Sequence, residues 1–268
     1  MKGRVLIVAG SDSGGGAGIQ ADLKAVTCLG GFAMTAITAL TAQNTLGVHA
    51  IHAVPIDFVR SQIRVVIEDL GADAVKTGML ATAPIIDAVA DELAAMAPRA
   101  PRIVDPVMVA KGGDRLLAED AIGALTRRLV AGAALVTPNL PEAAVLAGRP
   151  VRTVADMRAA AEAIRAAGAR AVLLKGGHLE GGRITDLLLT EAGEETFVDD
   201  RIDSRHTHGT GCTLASAIAT GIAQGLSLRD AVARGRAYVR AAIASAPGYG
   251  HGHGPLDHAH TVRAFPPA

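Results

Sequence analysis

The segment THGTGCTLASA (207–217) places a cysteine where a glycine-flanked turn meets a helical pattern. Gly209 and Gly211 free the backbone around Thr210. Leu214, Ile218 and Ile222 recur every four residues, so a helix is expected to start near Gly211. Amide N–H groups of residues 209–212 at the positive end of that helix suit a phosphate or a developing negative charge. The same position is expected to lower a thiol pKa, which makes Cys212 a candidate reactive group. The competing reading is a small buried filler, the usual fate of a free cysteine.

Other chemistry-bearing residues sit where apolar runs end. Lys175 closes ARAVLLK ahead of Gly176-Gly177; it can reach a phosphate or simply be a solvated strand end. Asp105 closes RIVD before a proline, and Glu142 follows TPN in the first turn of a helical pattern. Two carboxylates so placed can hold Mg²⁺ directly or through water. Glu142 alone also reads as an acid favoured by the helix dipole. GSDSGGGAG (10–18) allows close backbone approach to a ligand, or makes a tight turn. It completes neither a P-loop nor a dinucleotide fingerprint. HGHGPLDHAH (251–260) holds four of the nine histidines. Its spacing matches no structural zinc site and no cysteine accompanies it, so it reads as a polar, glycine-rich tail.

Short apolar runs alternate with helical patterns. Strands are expected at 4–10, 33–40, 72–79, 102–108, 134–139 and 169–178, with an antiparallel hairpin from ITDLLLT and EETFVDDR. Helices are expected after the first glycine loop and over 56–70, 84–97, 118–131, 154–167, about 212–224 and 227–245, with a short one in PEAAVLAG. This alternation predicts a mostly parallel sheet covered on both faces, with ligands beyond the C-terminal strand ends. No linker, repeat or charge block divides the chain, so one domain over 1–268 is expected.

Composition narrows the function. Lys+Arg and Asp+Glu are 26 each, and there is no Trp and few other aromatics, which argues against nucleic acid. Two cysteines fit a reducing compartment. RVLIVAG reads as a first strand rather than a signal peptide. Two stretches, 25–56 and 206–228, lack charged side chains, but Gly, Thr, Asn, Gln and His interrupt them, so buried core is expected rather than membrane spans.

AGSDSGGGAGIQADLKA, TALTAQNT, VKTGML, DPVMVAKGG, LVTPNLPEA, LLKGGH and THGTGCTLASAIA occur in that order, within a resemblance that runs from about residue 5 to residue 260. Together they resemble the bacterial hydroxymethylpyrimidine/phosphomethylpyrimidine kinases of thiamin biosynthesis. The resemblance implies an α/β ribokinase-like three-layer sandwich with a mostly parallel central sheet. It implies two ATP-dependent phosphorylations, first of 4-amino-5-hydroxymethyl-2-methylpyrimidine and then of its monophosphate. It places Gln43 against the aminopyrimidine, where an amide matches an amino group beside a ring nitrogen. Gly10, Asp22, Met79 and Val107 join that pocket, Lys175 and Asn139 the ATP phosphates, and Asp105 and Glu142 the Mg²⁺. Cys212 stands where most ribokinase-like enzymes carry an aspartate base, after Gly209, Thr210 and Gly211. A thiol there avoids a fixed negative charge beside a second substrate that is already a phosphate. The resemblance further implies a cytoplasmic homodimer whose partners are the small pyrimidine and ATP, with neither nucleic acid nor membrane.

Departures are few: Ser13 stands where relatives often have proline, which is expected to alter loop stiffness only, and Arg236 where they often have lysine. Pyridoxal kinases of the same subfamily are the near alternative. They carry a second cysteine in the lid, whereas this chain has Ala110 and Lys111 there. A non-catalytic pyrimidine-binding protein on the same fold is the other; it would not need the phosphate-binding groups.

Overall fold

The computed structural model describes residues 1–109, 113, 116–177, 179 and 181–263. Among these residues nine strands form one sheet: β1 (Arg4–Asp12), β2 (Phe32–Asn44), β3 (Gly47–Ala53), β4 (Ala74–Thr77), β5 (Arg102–Val104), β6 (Leu135–Val136), β7 (Val172–Leu174), β8 (Arg183–Thr190) and β9 (Gly193–Asp200). Their spatial order is β3-β2-β1-β4-β5-β6-β7-β8-β9, parallel from β2 to β7 and antiparallel at both edges.

Side chains alternate across this sheet with period two. In β1, Leu6 and Val8 face one core and Val5, Ile7 and Ala9 the other; in β8, Leu187 and Leu189 oppose Leu188. The first core is covered by α2 (Ile56–Leu70), α3 (Ala83–Met96), α4 (Ala121–Leu125), α5 (Leu140–Ala147) and α6 (Val154–Ala166). The second is covered by α1 (Gly18–Cys28), α7 (Thr210–Ala223) and α8 (Leu228–Ala244). The result is the expected three-layer α/β sandwich.

Four expectations need correction. The strand expected at 33–40 extends to Asn44, so Gln43 lies on β2 itself and not on a loop after it. It then pairs with β3, which the sequence reading missed. GVHAIHA is exposed along most of its length and shows no core-facing alternation. The uncharged stretch 25–56 is therefore partly an exposed sheet edge rather than core throughout. The helix expected over 118–131 is α4 followed by a π turn, Thr126–Val130. Thr126 Oγ1 donates to Ile122 O, a side-chain bond of the kind that bends helices. Finally, the histidine-rich end is packed, not a solvated tail. His258 is buried, its Nε2 lies 2.9 Å from Thr213 Oγ1, and its carbonyl accepts from Tyr238 Oη.

The close approach of α7 and α8 sets where the start of α7 points. Gly235 makes it possible: a Cβ there would lie 3.0 Å from Ile218 Cγ1 and 3.3 Å from Leu214 Cδ1. Gly235→Leu is expected to destabilise the fold by about 1–3 kcal/mol through overpacking, read as a lower urea midpoint at unchanged slope.

Candidate active site

From β1 the chain passes to β2 on one side and to β4 on the other, so the strand order switches at β1. Such a switch point leaves a crevice beyond the C-terminal strand ends. A cavity of about 750 Å³ lies there. It is lined by the loop after β1, the ends of β2, β4, β5, β6 and β7, and the start of α7.

The glycine loops bring its two halves together. Gly209, the N-cap of α7, has φ 81°, and a Cβ on it would lie 1.8 Å from Gly16 O. Only glycine permits that loop-to-loop contact. The first bond within α7 runs from Thr213 N–H to Gly209 O, which leaves the amides of Thr210, Gly211 and Cys212 without a partner inside the helix. A Cβ on Gly211 would stand 3.1 Å from Lys175 Nζ and 3.7 Å from Asp105 Oδ2. The open helix end, an ammonium and a carboxylate thus meet at one point.

Lys175 Nζ donates to Asp105 Oδ1 at 3.2 Å, and Thr137 Oγ1 donates to the same oxygen at 3.2 Å. Burial works against the Lys175 charge, but Asp105 and Glu142 outweigh it and raise its pKa. Asn139 forms a bridge beside Lys175 and caps α5. Its Oδ1 accepts from Glu142 N–H while Glu142 Oε2 accepts from Asn139 N–H, a capping box. Burial pushes the Glu142 carboxyl up to about 7; Lys175 opposes this and Asp105 adds to it. At the other end Gly10, Gln43, Met79 and Val107 line the cavity, and a Cβ on Gly10 would lie 3.2 Å from Met79 Sδ.

Two expectations about the site change. The Cys212 thiol is half-buried on the cavity wall, and its pKa is not lowered. Burial pushes it up to about 12; Lys76 opposes the rise, and Asp22 and Asp105 add to it. Desolvation beside two carboxylates outweighs the helix end. Asp22 does not line the cavity. It lies fully buried behind it, accepting from Lys76 Nζ at 2.9 Å and from Ser216 Oγ at 2.7 Å.

Three residues escaped the sequence reading. Lys76 is fully buried on β4 and reaches the cavity floor. Burial opposes its charge, but Asp22 and the other acids around it win and raise its pKa. Its signal was a lysine inside the apolar strand AVKTGM. Asp12 organises the glycine loop: Oδ1 accepts from Gly14 N–H, and Oδ2 from Gly16 and Ala17 N–H. His208 Nε2 lies 2.9 Å from Asp12 Oδ2 and 3.3 Å from the Gln43 side-chain amide. Burial opposes ionisation of Asp12, yet His208 and the loop amides together lower its pKa. Ser13, expected to affect stiffness alone, bonds both backbone groups of Gln43, donating to its carbonyl at 3.0 Å and accepting from its N–H at 2.9 Å. Ala110 and Lys111 lie outside the described residues.

The model of the family described as phosphomethylpyrimidine kinase matches residues 12–257. The chain belongs to that family. It is 54% identical over 257 residues to the thiamine biosynthesis bifunctional protein ThiED of Geobacter sulfurreducens, covering 96% of this chain and 52% of that protein. The chain thus spans about half the length of that relative. It is 50% identical to a hydroxymethylpyrimidine/phosphomethylpyrimidine kinase of Streptomyces coelicolor, over 95% of this chain and 93% of the other. Among solved structures, the pyridoxal kinase of Staphylococcus aureus in complex with ADP superposes with a TM-score of 0.90 at 34% identity, covering 98% of this chain and 96% of that one. The family places the protein among the phosphotransferases of ribokinase-like fold.

The Lys76–Asp22 pair is a stability test of this site. Lys76→Met is expected to cost about 3–5 kcal/mol by stranding a buried carboxylate, and pairing it with Asp22→Asn to recover much of that loss in denaturant melts.

Proposed function

We propose that this protein transfers phosphate from ATP to the hydroxymethyl group of 4-amino-5-hydroxymethyl-2-methylpyrimidine, and then adds a second phosphate to the product, as one kinase domain over residues 1–268. The meeting of Lys175, Asp105 and the open end of α7 at Gly211 carries this reading. It joins a phosphate-binding cation to the first amides of a helix, of which those of Gly211 and Cys212 have no partner within it, at the expected place of transfer. Gln43 is assigned to the aminopyrimidine edge, and Met79, Val107 and Gly10 to its faces. Ile184, Val239 and Ile243 also line the cavity, and their apolar side chains suit the purine of ATP. Lys175 and Asn139 are assigned to its phosphates.

Asp105 and Glu142 fit Mg²⁺ in the manner usual for nucleotide enzymes, where one or two carboxylates and the substrate phosphates share the ion. Among the described residues, no group of three or more His, Cys, Asp or Glu side chains gathers as a cage. Bound there, Mg²⁺ would neutralise charge on the phosphates. The chain's own residues do the rest. The Gly209–Cys212 loop positions the attacking hydroxyl, and its amides stabilise charge on the transferring group. In a loose transition state the hydroxyl proton leaves late, so a neutral Cys212 thiol suffices beside it.

Pyridoxal is the second substrate to test, because the solved pyridoxal kinases are so similar. Comparing kcat/KM for pyridoxal and the pyrimidine alcohol separates the two. We also assign the protein to the cytoplasm; among the described residues, no helix is long and apolar enough to cross a membrane. A homodimer is supported by the open edge of β3 with Leu46 and Ile51 exposed, and sedimentation would measure it.

Incubation with ATP, Mg²⁺ and the pyrimidine alcohol is expected to yield monophosphate and then diphosphate; no turnover overturns the reading. Cys212→Asp is expected to impair the second step about tenfold more than the first, because it sets a carboxylate beside a phosphorylated substrate. Equal impairment would remove the charge argument. Because a cation favours the ionised carboxylate, KM for MgATP is expected to fall as pH rises, and to level off above the Glu142 value of about 7. Glu142→Gln should flatten that profile.

A further inference from the structure

The Gln43 side chain poses a bonding problem that its neighbours solve. Placing its amide nitrogen against His208 Nε2 requires that ring nitrogen to accept, while Asp12 Oδ2 at 2.9 Å requires it to donate. One imidazole nitrogen cannot do both. A lone pair aimed at the Asp12 carboxylate would be repelled, so His208 Nε2 carries the proton and donates to Asp12.

The conflict disappears when the amide oxygen and nitrogen of Gln43 are exchanged, since the two are nearly isosteric. The oxygen then accepts from His208 Nε2–H, which it shares with Asp12. The nitrogen donates to Thr41 Oγ1, 3.1 Å from the amide. Thr41 can accept, because its own hydrogen goes to Ser11 O at 2.9 Å. Each donor between these neighbours then has an acceptor, and the backbone of Gln43 is held by Ser13. His208 and Thr41 flank the amide, which leaves one oxygen lone pair and one N–H side by side on its outer edge.

We propose that Asp12, His208 and Thr41 lock the orientation of the Gln43 amide and so act as specificity-determining positioning residues. This rests on the assignment of Gln43 to the pyrimidine edge. The locked edge accepts from an exocyclic amino group and donates to the adjacent ring nitrogen. A 4-oxo pyrimidine presents the reverse pattern, a carbonyl beside a ring N–H. Bound with its hydroxymethyl group toward Cys212, it would need the amide turned over. A free glutamine could turn and serve both; this one cannot. The selected substrate class is therefore 4-aminopyrimidine alcohols over their 4-oxo counterparts.

The test compares kcat/KM for the 4-amino alcohol and its 4-oxo analogue in wild type, His208→Leu, His208→Gln and Thr41→Val, with melting temperatures recorded. Wild type is expected to prefer the amino compound by about 10³-fold or more, as buried mismatched hydrogen bonds allow. His208→Leu and Thr41→Val should each reduce that preference at least about tenfold, chiefly by improving turnover of the oxo analogue, with KM for ATP unchanged. His208→Gln, whose amide N–H can reach the place of Nε2, should keep the preference within about threefold. A loss of rate on both compounds with the ratio preserved would overturn the lock, because a merely structural role never improves the wrong substrate. Should His208→Leu fail to fold, Thr41→Val decides alone. Wild type inactive on the amino alcohol overturns the substrate assignment itself. Wild type active with ratios unmoved in folded variants overturns only the lock.

Discussion

A fully buried ammonium holds this structure together. Lys76 rises from β4 without solvent contact and donates to Asp22 of α1, which in turn accepts from Ser216 of α7. One carboxylate therefore ties a central strand to two helices of the layer beneath the cavity. Burying a charge pair costs so much desolvation that its geometry must be satisfied on every side. Gly78 leaves room for it, since a Cβ there would lie 2.8 Å from Lys76 Nζ. The start of α7 is thereby anchored to the strand end where the chemistry is assigned.

Two acid-centred clusters divide the cavity between them. At one end Asp12 gathers the glycine loop and His208, beside the Gln43 amide. At the other end Asp105 gathers Lys175 and Thr137, next to the capping box of Asn139 and Glu142. Gly209 and Gly16 close the space between the loops by direct backbone contact. Burial pushes the capping-box acid Glu142 up to about 7, and neighbouring Asp105 adds to the rise while Lys175 opposes it. Cys212 sits between the clusters. It is neutral because burial and two nearby acids oppose its ionisation, despite the helix end behind it.

The layers and most elements were legible in sequence because apolar periodicity reports directly on burial. β1 and the buried part of α7 are plain examples. β3 was not, because an exposed edge strand has no core face to advertise. The π turn after α4 was hidden because it leaves the polarity pattern unbroken; the Thr126 hydroxyl bonds back to the Ile122 carbonyl there. The glycine positions and strand-end acids were readable because few residue types meet those needs.

By itself the sequence determined the sandwich, the order of every strand but β3 along the chain, the glycine turn ahead of Cys212 and the candidate groups at the strand ends. These follow from local chemistry and periodicity. Only the tertiary structure decided which of them face one another. Asp22 moved from the cavity to a buried support, Lys76 and His208 entered the site, and the thiol that a helix end should acidify became one that resists ionisation. The physical reason is common to all three. A side chain's charge, partners and hydrogen-bond role depend on what surrounds it, and those surroundings come from segments as far apart as Asp12 and His208, 196 residues along the chain.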